Sequence, residues 1–143
     1  MIYLTDAIDH FNLLPIIFYN LTAKLEDPVD GLVYAENNRQ QFLDDLIELC
    51  SIPTISSRAG SAADMEKGAQ WVANRLKKAG CSRVEVLPSS AHPVVFGEAL
   101  ADLQDAPTML VYGHYDVVAP GPLENWKSGP FSPVIVEIGR AHV

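Results

Sequence analysis

The stretch Thr108-Met-Leu-Val-Tyr-Gly-His-Tyr-Asp116 constrains this chain most, because an uncharged run enters a glycine and then presents His114 and Asp116 two residues apart. The run from Thr108 to Tyr112 predicts a central strand covered on both faces, and Gly113 allows a sharp exit from it. Ligands of open α/β sheets gather beyond the carboxyl ends of the strands, so His114 is expected at the mouth of a cleft with Asp116 directed toward it. A neutral imidazole there can bind zinc, and a nearby carboxylate can orient that imidazole or a catalytic water without touching the metal. Tyr115 is expected to alternate away. The bland alternatives are a histidine satisfied by a backbone carbonyl and a turn-capping carboxylate; for His114 the strand-exit glycine, Asp116 and the loop that follows weigh against the first.

Upstream, Phe42, Leu46 and Leu49 recur at helical spacing between Asn37 and Leu49, and Ile52-Pro53 ends that helix because the residue before proline is pushed out of the α region. A Ser-rich loop from Thr54 to Gly60 leads to a second helix. Ser61-x-x-Asp64 approximates a capping box, and Met65, Ala69, Val72 and Leu76 form its apolar stripe. Lys77 and Lys78 suit its negative end, and Gly80 supplies the terminal cap. Arg83-Val-Glu-Val-Leu87 alternates as a half-buried strand, Pro88-Ser-Ser90 breaks it, and Pro93-Val-Val-Phe96 begins another. With Thr108–Tyr112 this makes three strands. Their connections are too short for crossover helices, so antiparallel neighbours and a mixed sheet are expected.

The 143 residues carry a net charge of −8 and no basic cluster, which excludes nucleic acid and anionic membrane as partners. Cys50 and Cys81 lack C-x-x-C spacing and read as two reduced, packed thiols in a cytoplasmic protein. The apolar patch from Phe11 to Leu21 fits neither a signal peptide nor a span. Asp6 and Asp9 precede it, no cation appears before Lys24, Pro15 and Asn20 interrupt it, and it falls short of the roughly 18 apolar residues of a span.

Beyond Asp116 the chain reads Val118-Ala-Pro-Gly-Pro-Leu-Glu-Asn-Trp126 and Ser128-Gly-Pro-Phe-Ser-Pro-Val-Ile135, a Pro/Gly-rich loop in which Trp126 and Phe131 are expected to pack the loop against the sheet. The strand, Gly113-His-Tyr-Asp116, Trp126 and the Pro-Phe-x-Pro stretch, in this order, closely resemble the opening half of the catalytic domain of the clan MH dizinc metallopeptidases. These include carnosinase-type dipeptidases, acetylornithine deacetylase and succinyl-diaminopimelate desuccinylase. The resemblance runs from about Val33 to Val136, and Ala91-His-Pro-Val-Val-Phe-Gly-Glu98 with Pro122-Leu-Glu124 looks most like the dipeptidase branch.

What the resemblance implies is an α/β fold: a truncated, partial three-layer α/β/α sandwich with a mixed sheet, of the zinc-exopeptidase type. It implies His114 as a metal ligand and Asp116 as the catalytic carboxylate that steadies it. Two zinc ions, with cobalt or manganese as alternatives, would polarise the scissile bond of a small peptide, or of an N-acyl amino acid in a deacylase. A homodimer is open for the full-length parent. The remaining ligands and the general base of that family come later in sequence, so this chain is expected to be inactive alone. A non-catalytic α/β binding module is the alternative of another class. His92 and His10 read as surface residues.

Three segments are expected: an extension at 1–32, the catalytic-domain part at 33–136, and a non-native tail at 137–143. Glu137-Ile-Gly-Arg-Ala-His-Val143 stands where the family would continue toward a Gly-Arg-Gly motif, and it back-translates to a string containing the start of a widely used sequencing adapter. His142 is therefore discounted as a ligand.

Overall fold

The computed structural model describes residues 31–102 and 106–136, so the expectations for 1–30 and 137–143 lie outside the described residues. The element order is α1 (Gly31–Asn37), α2 (Arg39–Cys50), α3 (Ala62–Lys78), β1 (Arg83–Leu87), β2 (Val94–Glu98) and a 3-10 turn at Leu123–Asn125. The segment boundary expected after residue 32 falls inside α1.

Asn38 separates α1 from α2 with non-helical φ and ψ of −109° and 12°. Its backbone and side-chain N–H groups both donate to the Tyr34 carbonyl, and Tyr34 and Phe42 bring their rings to 6.2 Å across the break. At the end of α2 the Ser51 hydroxyl takes the Ile47 carbonyl. Past Pro53 the backbone tightens into two consecutive three-residue turns, Thr54 N–H to Ile52 O and Ile55 N–H to Pro53 O. They turn Thr54 and Ile55 into the core.

α3 organises the rest. Met65, Gly68, Ala69 and Ala73 are its buried residues, a stripe of mostly small side chains at helical spacing. The small side chains let other chain segments come close: a Cβ at Gly68 would lie 2.5 Å from Thr54 Cγ2 and 3.0 Å from Tyr115 Cδ2. Arg75 ties α3 to α2 through Asp45 at 2.6 Å and Glu48 at 2.7 Å, and its guanidinium stacks over Trp71 at 5.0 Å. Gly80 at φ +95° ends the helix as expected, with Cys81 N–H returning to Leu76 O and Gly80 N–H to Lys77 O in a Schellman motif. The capping box at the other end does not form. Ser61 is buried, and its helical φ and ψ keep its hydroxyl from capping the first turn, while Asp64 pairs with Arg58 instead of reaching back.

β1 and β2 pair antiparallel, with Arg83 opposite Glu98 and Leu87 opposite Val94. Alternation sorts Val84, Val86, Val95 and Gly97 to one side, where Leu76 of α3 closes on Gly97. Arg83, Glu85 and the half-exposed Phe96 take the other, where the Arg83 guanidinium lies 5.2 Å from the Phe96 ring. One helix, α3, packed on a small antiparallel sheet makes this a partial α/β structure among the described residues.

The third strand is a correction. Thr108–Tyr112 joins no ladder, and Met109, Leu110 and Tyr112 are 84%, 90% and 88% exposed. A strand covered on both faces needs paired neighbours and two covering layers, and the described residues give this run neither. The mixed sheet accordingly reduces to one hairpin plus an isolated parallel bridge, Ile55 with Val117. No described helix is long and apolar enough to cross a membrane.

Candidate metal centre

That bridge builds the site. Val117 N–H donates to Thr54 O at 2.9 Å, and the Thr54 hydroxyl donates to Tyr115 O at 2.7 Å, so residues 54–56 and 115–117 run side by side. Tyr115 points inward against Gly68 and donates its hydroxyl to Pro93 O at 2.6 Å, at the start of β2. Burial, and then the negative charges of Glu66 and Asp116, push its phenol pKa up. Extended-chain alternation sends His114 and Asp116 to the opposite side from Tyr115, as expected.

His114 therefore meets Asp116, although not at the end of a paired central strand. Its Nδ1 lies 3.0 Å from both the carbonyl oxygen and Oδ1 of Asp116. Both can only accept, so Nδ1 carries a proton, and in the neutral ring Nε2 then keeps its lone pair. The His114 side chain is 73% exposed and Asp116 39%, which leaves Nε2 open to solvent without a partner among the described residues. The Ser56 hydroxyl donates to the other carboxylate oxygen, Oδ2, at 2.6 Å. That hydrogen bond, followed by His114, holds the Asp116 carboxyl below the usual carboxylate range against the raising effect of burial.

Two residues of this cluster escaped the sequence reading. Ser56 was legible only as one serine of a loop. His92, expected at the surface, is half-buried and donates Nε2–H to the Ser56 carbonyl at 2.9 Å. Their partners lie 60 and 36 residues away, and no local periodicity reports such pairings. The signal present was Ser56 standing one residue past the buried Ile55.

The loop beyond is held mainly by itself. Trp126 Nε1–H donates to Pro120 O at 2.8 Å around Gly121 at φ +70°, closing the Pro-rich segment on its own backbone. Cys50 and Cys81 are free thiols, both with pKa pushed up by burial. An open groove of about 390 Å³ between α2 and α3, lined by Glu48, Ile52 and Trp71 among others, shares no residue with the His114 cluster.

Chemically, the arrangement offers one imidazole with a free nitrogen and a carboxylate behind it, the pattern that fixes a metal-ligating histidine. No group of three or more His, Cys, Asp or Glu that could hold a metal occurs among the described residues. The residues present thus fit one corner of a tetrahedral zinc site.

Comparison with known proteins adds the family. No family model and no solved structure matches the chain. A succinyl-diaminopimelate desuccinylase of Xylella fastidiosa is 31% identical over 93 residues, covering 64% of this chain and 22% of that protein. A cysteinylglycine-S-conjugate dipeptidase of Corynebacterium striatum is 33% identical over 101 residues, covering 65% and 20%. A short match to succinyl-diaminopimelate desuccinylase 1 of Alteromonas mediterranea reaches 78% over 23 residues, covering 16% and 6%. The chain thus spans about a fifth or less of the length of these relatives. Two relatives with different hydrolytic names each align with about 65% of the chain, so over that part the chain is similar to hydrolases of the M20 peptidase type.

Proposed function

We propose that this chain is part of the catalytic domain of a cytoplasmic zinc-dependent exopeptidase that hydrolyses dipeptides or other small peptides. One observation carries the reading: His114 Nδ1–H is held by Asp116 at 3.0 Å while Nε2 faces outward. In this reading His114 Nε2 is a ligand of one of two zinc ions. Bound there, the metal supplies Lewis-acid polarisation of the scissile carbonyl and a lowered pKa for an attacking water. Asp116 fixes the ring's orientation and tautomer, and Tyr115 anchors the segment that carries both. In this reading the remaining donors and the general base are not among the described residues, and a zinc ion held by His114 alone is weakly bound.

The desuccinylase names among the relatives support a second reading, an N-acyl amino acid deacylase with the same centre and a different pocket. The test is calorimetry with zinc on the 143-residue chain, then on the longer protein encoded by its gene, followed by assay on dipeptides against succinylated and acetylated amino acids. The expected result is no submicromolar zinc site in the short chain. In the longer protein, zinc binding and dipeptide hydrolysis are both lost in His114→Ala. Zinc binding and turnover unchanged in His114→Ala would overturn the reading, and turnover of acyl amino acids alone would select the deacylase. A locus without further acidic or histidine ligands would leave only a non-catalytic module.

A further inference from the structure

We infer that Ser56 is a positioning residue for His114, acting through Asp116; the inference rests on the reading of His114 as the metal ligand. Asp116 has two carboxylate oxygens with distinct duties. Oδ1 accepts His114 Nδ1–H at 3.0 Å, and Oδ2 accepts the Ser56 hydroxyl at 2.6 Å. A carboxylate side chain 39% exposed would otherwise rotate about its terminal torsion, which is broad for aspartate. The hydroxyl pins that torsion from the far side, and so sets the direction from which Oδ1 meets the ring.

Ser56 is itself fixed on both sides. Ile55 is bridged to Val117, and the Ser56 carbonyl accepts His92 Nε2–H at 2.9 Å. The hydroxyl and the carbonyl of one residue thus serve two different histidines. His114 depends on the hydroxyl and His92 on the backbone, which makes His92 an internal control.

The experiment reads imidazole tautomers by long-range proton–nitrogen NMR on the 143-residue chain without metal, at about pH 8, where ordinary imidazoles are neutral. The expected wild-type state is Nδ1–H on His114 and Nε2–H on His92. In Ser56→Ala the ratio of Nδ1–H to Nε2–H on His114 should fall about fivefold, the worth of one hydrogen bond. His92 should not change, and Ser56→Thr should restore the ratio. Ser56→Cys, near-isosteric with a weak donor, gives an intermediate fall and carries the same reading should the alanine variant unfold. Thr54→Val removes the neighbouring hydroxyl bond to Tyr115 O and should leave the His114 ratio within about twofold. An unchanged His114 ratio in both Ser56→Ala and Ser56→Cys overturns the proposal. So does an equal response of His92 and His114, or of Thr54→Val and Ser56→Ala, because Ser56 then only supports the loop. The zinc measurement on His114→Ala stands apart from this ratio, so failure of the metal reading and failure of the Ser56 role are told apart.

Discussion

Gly68→Ala sets helix propensity directly against packing. Within a helix the change should stabilise by about 1 kcal/mol, since alanine is the better helix former. The structure opposes it, because the added methyl would sit 2.5 Å from Thr54 Cγ2 and 3.0 Å from Tyr115 Cδ2, the first a separation that real Cβ atoms do not show. Overpacking of this kind costs about 1–3 kcal/mol. The group that must move carries the 2.7 Å Thr54–Tyr115 hydrogen bond, with about 1 kcal/mol more at stake. The expected net is a loss of about 1–3 kcal/mol, read by urea unfolding followed through Trp71 fluorescence on the same helix. Thr54→Ser removes the clashing methyl and keeps the hydroxyl, so Gly68→Ala in that background should be neutral or stabilising. A Gly68→Ala protein more stable than its parent would refute the close approach of α3 to residues 54 and 115.

Three further outcomes are expected. The Trp71 indole N–H faces Glu48 short of hydrogen-bond geometry and, with Arg75, holds that carboxyl below the usual carboxylate range. A lowered folded pKa gives stability that is present above the unfolded value and lost as pH falls through the folded one. Acid titration of Tm should therefore show a loss below the usual carboxylate range that Glu48→Gln makes smaller, the part owed to Asp116 remaining. The bare run at 109–112 should drive association, so Met109→Lys with Leu110→Lys should lower the apparent mass in sedimentation while shifting stability by no more than about 0.5 kcal/mol. Trp126→Phe should lose the 2.8 Å bond to Pro120 O and speed amide exchange in residues 121–126, with α3 unchanged.

Local order was well written in the residues. Phe42, Leu46 and Leu49 marked α2, although Phe42 remains largely exposed. Gly80 and the alternation of Val84 and Val86 marked the end of α3 and the first strand. What failed were inferences that needed a partner. An uncharged run such as Thr108–Tyr112 says what a strand would bury, and nothing about whether a neighbour pairs with it. Ser61 and Asp64 had capping spacing, but a charged competitor, Arg58, lay close by. In the site, His114 and Asp116 were visible together because extended chain repeats every two residues. Ser56 and His92 reach them only through tertiary contacts, which leave no periodic trace.

The parallel bridge between Ile55 and Val117 makes the site a meeting of two folding units. Residue 55 belongs to the compact unit centred on α3, whereas residues 114–117 return to it across a long excursion, held by backbone bonds at Thr54 and the Tyr115 hydroxyl on Pro93. Such a contact can open on its own, at a free energy well below that of global unfolding, while α3 and the hairpin stay formed. The returning arm carries His114 and Asp116, and the fixed one carries Ser56, whose carbonyl accepts from His92 ahead of β2. Anything that grips both arms binds the closed form alone and shifts the opening equilibrium by mass action. For a ligand that touches both arms, closure and occupancy are therefore thermodynamically linked, and only such a ligand should raise the protection of the Val117 amide.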